Sequence, residues 1–171
     1  WASDCNVLRR SVSLRCAFGS PCGDGVPVDV RKGLSEEAEK VGVEENGVAA
    51  TAGSSNPANT RRVLEAIKNY TDISKVTLHM HDTYGMGIAN AYVGLEEGVT
   101  MLESSLAGMG GCPFVPGAKG NIATEDLLYM LHDMGIDTGY DLTQVNQVAV
   151  EMAEEIQADV VSCQGAGCKH R

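Results

Sequence analysis

The feature that most constrains this chain is a fourfold alternation along its 171 residues: a short β-favouring run, then an amphipathic stretch of helical period. Ser11–Phe18 reads as a strand and precedes a helix near Asp29–Val41, in which Val30, Leu34, Ala38 and Val41 recur at helical spacing. Strand Gly47–Thr51 precedes a helix near Ala58–Tyr70, whose Val63, Leu64 and Ile67 face inward. Strand Lys75–His79 precedes a helix near Met86–Glu97, and strand Thr100–Ser104 precedes a glycine-rich loop and a helix near Thr124–Met134. Alternation of this kind indicates an α/β fold with a parallel sheet, because strands joined through helices cannot pair as hairpins. A last helix is expected over Leu142–Ile156, where Leu142, Val145, Val148, Met152 and Ile156 form a stripe that reads as core packing. Thr124 or Asp141 suits the cap of the helix it precedes, and Glu125 and Asp126 suit a helix amino end. No linker divides the units, so residues 1–171 are expected to form one domain.

Two groups of residues carry chemistry. Val76-Thr77-Leu78 is β-favouring, which sets His79 at the carboxyl end of a strand. Residues two apart on a strand share a face, so His79 and His81 can reach one ion. Neutral imidazoles suit first-row divalent metals, and oxygen ligands completing the shell would admit Mg²⁺ or Mn²⁺. Two polar side chains at the wet end of a strand are the plainer alternative. Asp82, next in sequence, is expected to orient a ligand from behind. Cys112 lies among Gly108, Gly110, Gly111 and Pro113, where few large side chains exist to bury a thiol. Glycines permit close approach to a ligand, and a loop this rich in them can close over a site and reopen. A functional thiol is the reading favoured.

The two segments His79-Met80-His81-Asp82-Thr83-Tyr84-Gly85 and Ser104 to Asp126, with its Gly-Gly-Cys-Pro and Gly-Asn-Ile-Ala-Thr-Glu-Asp runs, carry a resemblance. Together they resemble the 3-hydroxy-3-methylglutaryl-CoA lyases, within the metal-dependent lyase and Claisen-synthase group built on a TIM barrel. The family has HxHDTYG on the seventh strand and SxxGxGGCP(F/Y)xxGAxGNxATED after the eighth. The related Claisen synthases use HxHND and a Gly-Glu-Arg loop instead. Ser11 to Pro21 is similar to the family's fifth strand and Gly47 to Pro57 to its sixth. The resemblance covers Ser11 to Ile156, the carboxyl half of a barrel, with residues 157–171 left as a flexible tail. A whole (β/α)₈ barrel takes about 250 residues, so the expected fold is a partial TIM barrel of four strand-helix units plus a carboxyl-terminal helix.

The resemblance implies a reaction: divalent-metal-dependent cleavage of 3-hydroxy-3-methylglutaryl-CoA to acetoacetate and acetyl-CoA, a step of leucine degradation and ketone-body metabolism. It implies His79, His81 and Asn121 as metal ligands, His79 or its neighbour as a proton relay, and Cys112 as the acid that protonates the departing enolate. Two departures weigh against full activity. Ala50 stands where the family's sixth strand carries an aspartate. The family's first strand, with a catalytic arginine and a metal-binding aspartate, has no counterpart in Trp1–Arg10. An active lyase completed by a homo-oligomer or a complementing half-barrel, an inert fragment or paralogue that still binds metal or an acyl-CoA thioester, and a purely structural half-barrel are the readings to separate.

Composition narrows the partners. A net charge of −10 disfavours non-specific nucleic-acid binding and repels a polyanion such as coenzyme A, which would need a local basic patch. No apolar stretch approaches the roughly 20 residues of a membrane span. Trp1–Arg10 reads as neither a signal peptide nor a transit segment. Six cysteines (Cys5, Cys16, Cys22, Cys112, Cys163, Cys168) fit no disulfide scaffold or zinc spacing, so reduced thiols in a cytoplasmic setting are expected. His132 and His170 read as surface residues, and the charges of Asp29–Glu45 as a solvated helix face.

Overall fold

The computed structural model describes residues 11–19, 26–111, 119–158 and 162–163. Four strands form one parallel sheet in chain order: β1 (Ser11–Leu14), β2 (Glu45–Ala49), β3 (Val76–His79) and β4 (Met101–Glu103). Between and after them run α1 (Val28–Lys40), α2 (Pro57–Ile67), α3 (Gly87–Glu96), α4 (Thr124–Asp133) and α5 (Leu142–Glu155). This is the strand-helix alternation that the sequence predicts. The register aligns Ala49 with His79 and His79 with Glu103, so the carboxyl ends of three strands finish level. The ends of parallel strands at one rim are where such folds gather functional side chains.

The core follows from period-two burial. Val48, Val76, Leu78 and Met80 pack with Val63, Leu64 and Ile67 of α2, Ala91 of α3, and Leu127 and Leu131 of α4. Leu64, Val76 and Leu78 are completely buried, each removing enough apolar surface to contribute about 1.5–3 kcal/mol. Asn56 caps α2 by accepting the Asn59 backbone N–H at 2.9 Å, with Pro57 in the first turn, where its missing N–H costs nothing. Asp141 caps α5 as expected, accepting from the Thr143 and Gln144 amides. Thr124 does not cap α4. Its amide donates to the Ser105 carbonyl at 2.9 Å and its hydroxyl pairs with that of Ser104, so it is the first helical residue and Ala123 holds the cap position.

Two helices bury a different face from the one their large apolar residues mark. In α1 the buried residues are Arg31, Ser35 and Ala38, while Val30, Leu34 and Val41 are exposed. The Arg31 guanidinium donates to the Ala17 carbonyl at 2.6 Å, which anchors the helix by a hydrogen bond rather than by an apolar face. Arg31 is therefore buried, not part of a solvated face. In α5, Ala149 and Ala153 are buried, and Val148 and Ile156 are 49% and 58% exposed. Small side chains let α5 lie close to α4 and to the 3-10 turn Leu106–Gly108. The expected core stripe instead walls an open cavity of about 960 Å³ beside β4, where Val145, Val148 and Met152 face Leu102, Leu106 and Tyr140.

Smaller differences have local causes. β1 ends at Leu14, short of the expected Phe18, because Cys16 turns at φ 56° and its amide leaves the ladder for the Thr51 hydroxyl at 2.9 Å. The tail is not free at Ser162 and Cys163. Ser162 is 1% exposed and donates its hydroxyl to Glu125, and the Cys163 amide donates to Asp126, so both sit against the amino end of α4. His132 is half-buried with Nε2 at 2.8 Å from the Thr138 hydroxyl.

Candidate active site

His79 ends β3, and the chain continues extended through Met80 to His81, so both side chains emerge on one face at the rim. Their Nε2 atoms face each other at 3.1 Å, with ring centroids 5.1 Å apart. His79 Nδ1 lies 2.8 Å from a carboxylate oxygen of Glu103, its register partner on β4. With Nδ1 protonated toward that carboxylate, Nε2 keeps its lone pair directed into the site. Glu103 escapes a motif search because it is an isolated acid, and only strand register brings it beside His79.

Asn121 is stitched alongside. It forms an antiparallel bridge with His81, flanked by the Asp82 amide donating to the Gly120 carbonyl and the Ile122 amide donating to the Met80 carbonyl. Its Nδ2 donates to the Met109 carbonyl at 2.9 Å, which aims Oδ1 the other way. Among the described residues, Asn121 Oδ1 and His81 Nδ1 are buried and have no hydrogen-bond partner. Burial, reinforced by the neighbouring His79 imidazole, holds the His81 pKa below the ordinary imidazole range.

The described residues at the two ends of the glycine-rich segment meet in a narrow neck. Gly110 (φ 98°) and Gly120 (φ 90°) pass so closely that a Cβ on Gly120 would stand 1.6 Å from the Gly110 carbonyl oxygen. Only glycine fits both the conformation and the space. Below the neck, Ala107 adopts φ 55°, unusual for a residue with a side chain. Its amide is held by both oxygens of the completely buried Glu125, at 2.9 and 3.1 Å. Cys112 lies outside the described residues.

Asp82 does not reach either imidazole. Its Oδ1 accepts the Gly87 amide at 2.7 Å and so fixes the start of α3, correcting the expectation that it orients a ligand. Ala50 is 1% exposed in the apolar cluster, on the face opposite Ala49 and Thr51. A cavity of about 420 Å³ joins the two histidines and Asn121 to Ser13, Arg15 and Thr51 from the first two strand ends. Arg15 belongs to neither of the two segments whose residues carry chemistry. Its signal is positional, two residues beyond Ser13 on the inner face of β1.

The donors fit a hard or borderline divalent ion in part. Two ligands at right angles on an ion with bonds of about 2.1 Å stand about 3 Å apart, which the facing Nε2 atoms match. The amide oxygen of Asn121 is an oxygen donor without another use. Among the described residues, no three His, Cys, Asp or Glu side chains converge on one point, so a complete shell needs oxygen from substrate, water or another segment.

The HMGL-like family model matches residues 2–151. The chain belongs to this family. A hydroxymethylglutaryl-CoA lyase of Pseudomonas mevalonii is 38% identical over 143 residues, covering 84% of this chain and 48% of that protein. The crystal structure of the Bacillus subtilis HMG-CoA lyase superposes with a TM-score of 0.92 at 35% identity, covering 98% of this chain and 56% of that one. An Acinetobacter baumannii HMG-CoA lyase, solved in complex with coenzyme A and 3-methylmalate, gives a TM-score of 0.80 at 33% identity over 90% of this chain and 50% of that one. The chain thus spans about half the length of the HMGL-like relatives it matches. The four strands and five helices are those of a partial TIM barrel, as the sequence motifs imply.

Proposed function

We propose that this chain carries the metal-binding and proton-donating half of a hydroxymethylglutaryl-CoA lyase, which cleaves 3-hydroxy-3-methylglutaryl-CoA to acetoacetate and acetyl-CoA. The observation that carries the reading is the His79–His81 pair with Asn121 Oδ1 unpartnered beside it, in a chain of the HMGL-like family. A bound Mg²⁺ or Mn²⁺ would acidify the substrate's tertiary hydroxyl and orient the bond to be broken. His79 and His81 would hold it through Nε2 and Asn121 through its amide oxygen, with Glu103 fixing the His79 tautomer. By family resemblance His79 is also the candidate relay for the hydroxyl proton. By family resemblance Cys112 protonates the enolate carbon, and the pinched glycine neck would bring it to the site.

The reaction belongs to leucine degradation and ketone-body metabolism, and free thiols at Cys16 and Cys163 are compatible with a reducing, cytoplasmic setting. No described helix is long and apolar enough to cross a membrane. Residues 1–171 act as one unit in this reading. Its edge strands, β1 and β4, with no further strand paired to them among the described residues, and the apolar cavity beside β4 favour completion by a second copy or by a complementing half-barrel. Calorimetry with Mn²⁺ tests the site. Binding that is lost in His79→Ala/His81→Ala is expected, and affinity unchanged by that double substitution would refute the ligand assignment.

A further inference from the structure

We infer that Arg15 is the anion-recognition residue of this cavity, and that it takes the free carboxylate of a hydroxy-acyl substrate whose hydroxyl lies at the histidine pair. The inference rests on the lyase reading above and names the group that reads the acid end of the substrate. Arg15 follows β1 at the rim, and Ser13 before it lines the same cavity. Glu103 and Arg15 are the charged side chains among the described lining residues, besides the histidines. Glu103 is occupied by His79. Arg15 is exposed to solvent, and no hydrogen bond or ion pair holds its guanidinium among the described residues.

The scale of the cavity matters. Its volume of about 420 Å³ equals a sphere about 9 Å across, comparable with the Debye length of about 8–10 Å at physiological salt. An anion bound inside therefore stays within about one Debye length of the guanidinium, so screening attenuates the attraction without abolishing it. A planar guanidinium also matches a carboxylate with two parallel N–H···O bonds, which a lysine ammonium does not. In a chain of net charge −10 the cavity would otherwise repel an acid. The lyase reading gives Arg15 no other role, and it lines the cavity without a partner among the described residues.

The same charge acts in opposite senses on the two ligands. It attracts the carboxylate and repels a divalent ion at the neighbouring imidazoles. That opposition separates recognition from scaffolding. The experiment is calorimetry on the full chain with two probes, 3-hydroxy-3-methylglutarate and Mn²⁺ alone, in Arg15→Gln and Arg15→Lys. Arg15→Gln is expected to weaken the diacid at least tenfold while Mn²⁺ binds as well or several-fold better. Arg15→Lys should recover only part of the diacid affinity. Equal diacid affinity in parent and Arg15→Gln overturns the inference and leaves the metal site standing. Loss of both ligands in Arg15→Gln points to a structural role and also overturns it. Should the parent bind Mn²⁺ but no diacid, Arg15 has no such role, and should it bind neither, the lyase reading falls with it.

Discussion

His81 is where burial and function meet most sharply. It is 8% exposed, and both burial and the His79 ring disfavour its protonated form, so at neutral pH it is a neutral donor suited to a metal. The sign of the linkage follows. With the folded pKa below the unfolded value of about 6.5, the unfolded chain binds the proton more readily. Stability is full above that value and declines as pH falls from about 6.5 toward the folded pKa. Urea midpoints measured at pH 7 and pH 5 should therefore drop more for the parent than for His81→Gln, and equal drops would contradict the burial argument. The sequence announced His79, His81 and Asn121 because motif residues keep their spacing whatever the fold does around them. It did not announce Glu103 or Arg15, since Glu103 joins the site through strand register and Arg15 through its place just past the end of β1. Asp82 misled for a related reason: adjacency to His81 says nothing of direction, and its carboxylate turns to the Gly87 amide.

The elements were legible wherever burial is decided by large apolar side chains. In α2, Val63, Leu64 and Ile67 all lie in the core as their spacing predicts. In α1 and α5 the buried faces are small or polar, Arg31, Ser35 and Ala38 in one and Ala149 and Ala153 in the other, so periodicity pointed to the exposed side. Close approach and a single hydrogen bond set those helices, and hydropathy registers neither. Close approach also governs α3. A Cβ on Gly87 would stand 2.3 Å from Ile122 Cγ2 and 3.1 Å from the His81 carbonyl, so the helix meets the histidine segment through a bare backbone. Gly87→Ala gains up to about 1 kcal/mol of helix propensity but forces overpacking that costs about 1–3 kcal/mol. A net loss of stability in denaturant unfolding is expected, together with weaker Mn²⁺ binding. Asp141→Ala should cost about 1 kcal/mol through its cap and leave Mn²⁺ binding unchanged.

At the scale of the molecule, the sheet begins at β1 and stops at β4 with no strand paired beyond either among the described residues, and the relatives are about twice as long. The sequence foretold a partial barrel because each motif belongs to a numbered strand of the family. What associates with the edges is not written in those motifs. In the lyase reading proposed above, the 171-residue polypeptide assayed alone, without the cation and carboxylate that the resemblance places on the family's first strand, should cleave 3-hydroxy-3-methylglutaryl-CoA at least ~10³-fold more slowly than a full-length relative, since one such electrostatic group is worth on the order of 10²–10³ in rate. Adding a separately expressed amino-terminal half-barrel should restore turnover, with residual activity sensitive to Cys112→Ser. Full turnover by a monomeric chain in sedimentation would overturn the need for a partner.

The neck formed by Gly110 and Gly120 separates the ends of the glycine-rich segment from the imidazoles and the Asn121 amide beneath. The ends are already joined by a contact that admits no side chain, so the entropy of closing the span is largely insensitive to its length. Doubling a closed span costs only about 0.6 kcal/mol. Two glycines inserted after Pro116 should leave Mn²⁺ affinity and the unfolding midpoint nearly unchanged while altering any turnover that depends on Cys112. The length of the span between Gly110 and Gly120 is thus a variable that can change without disturbing the imidazole pair held by β3.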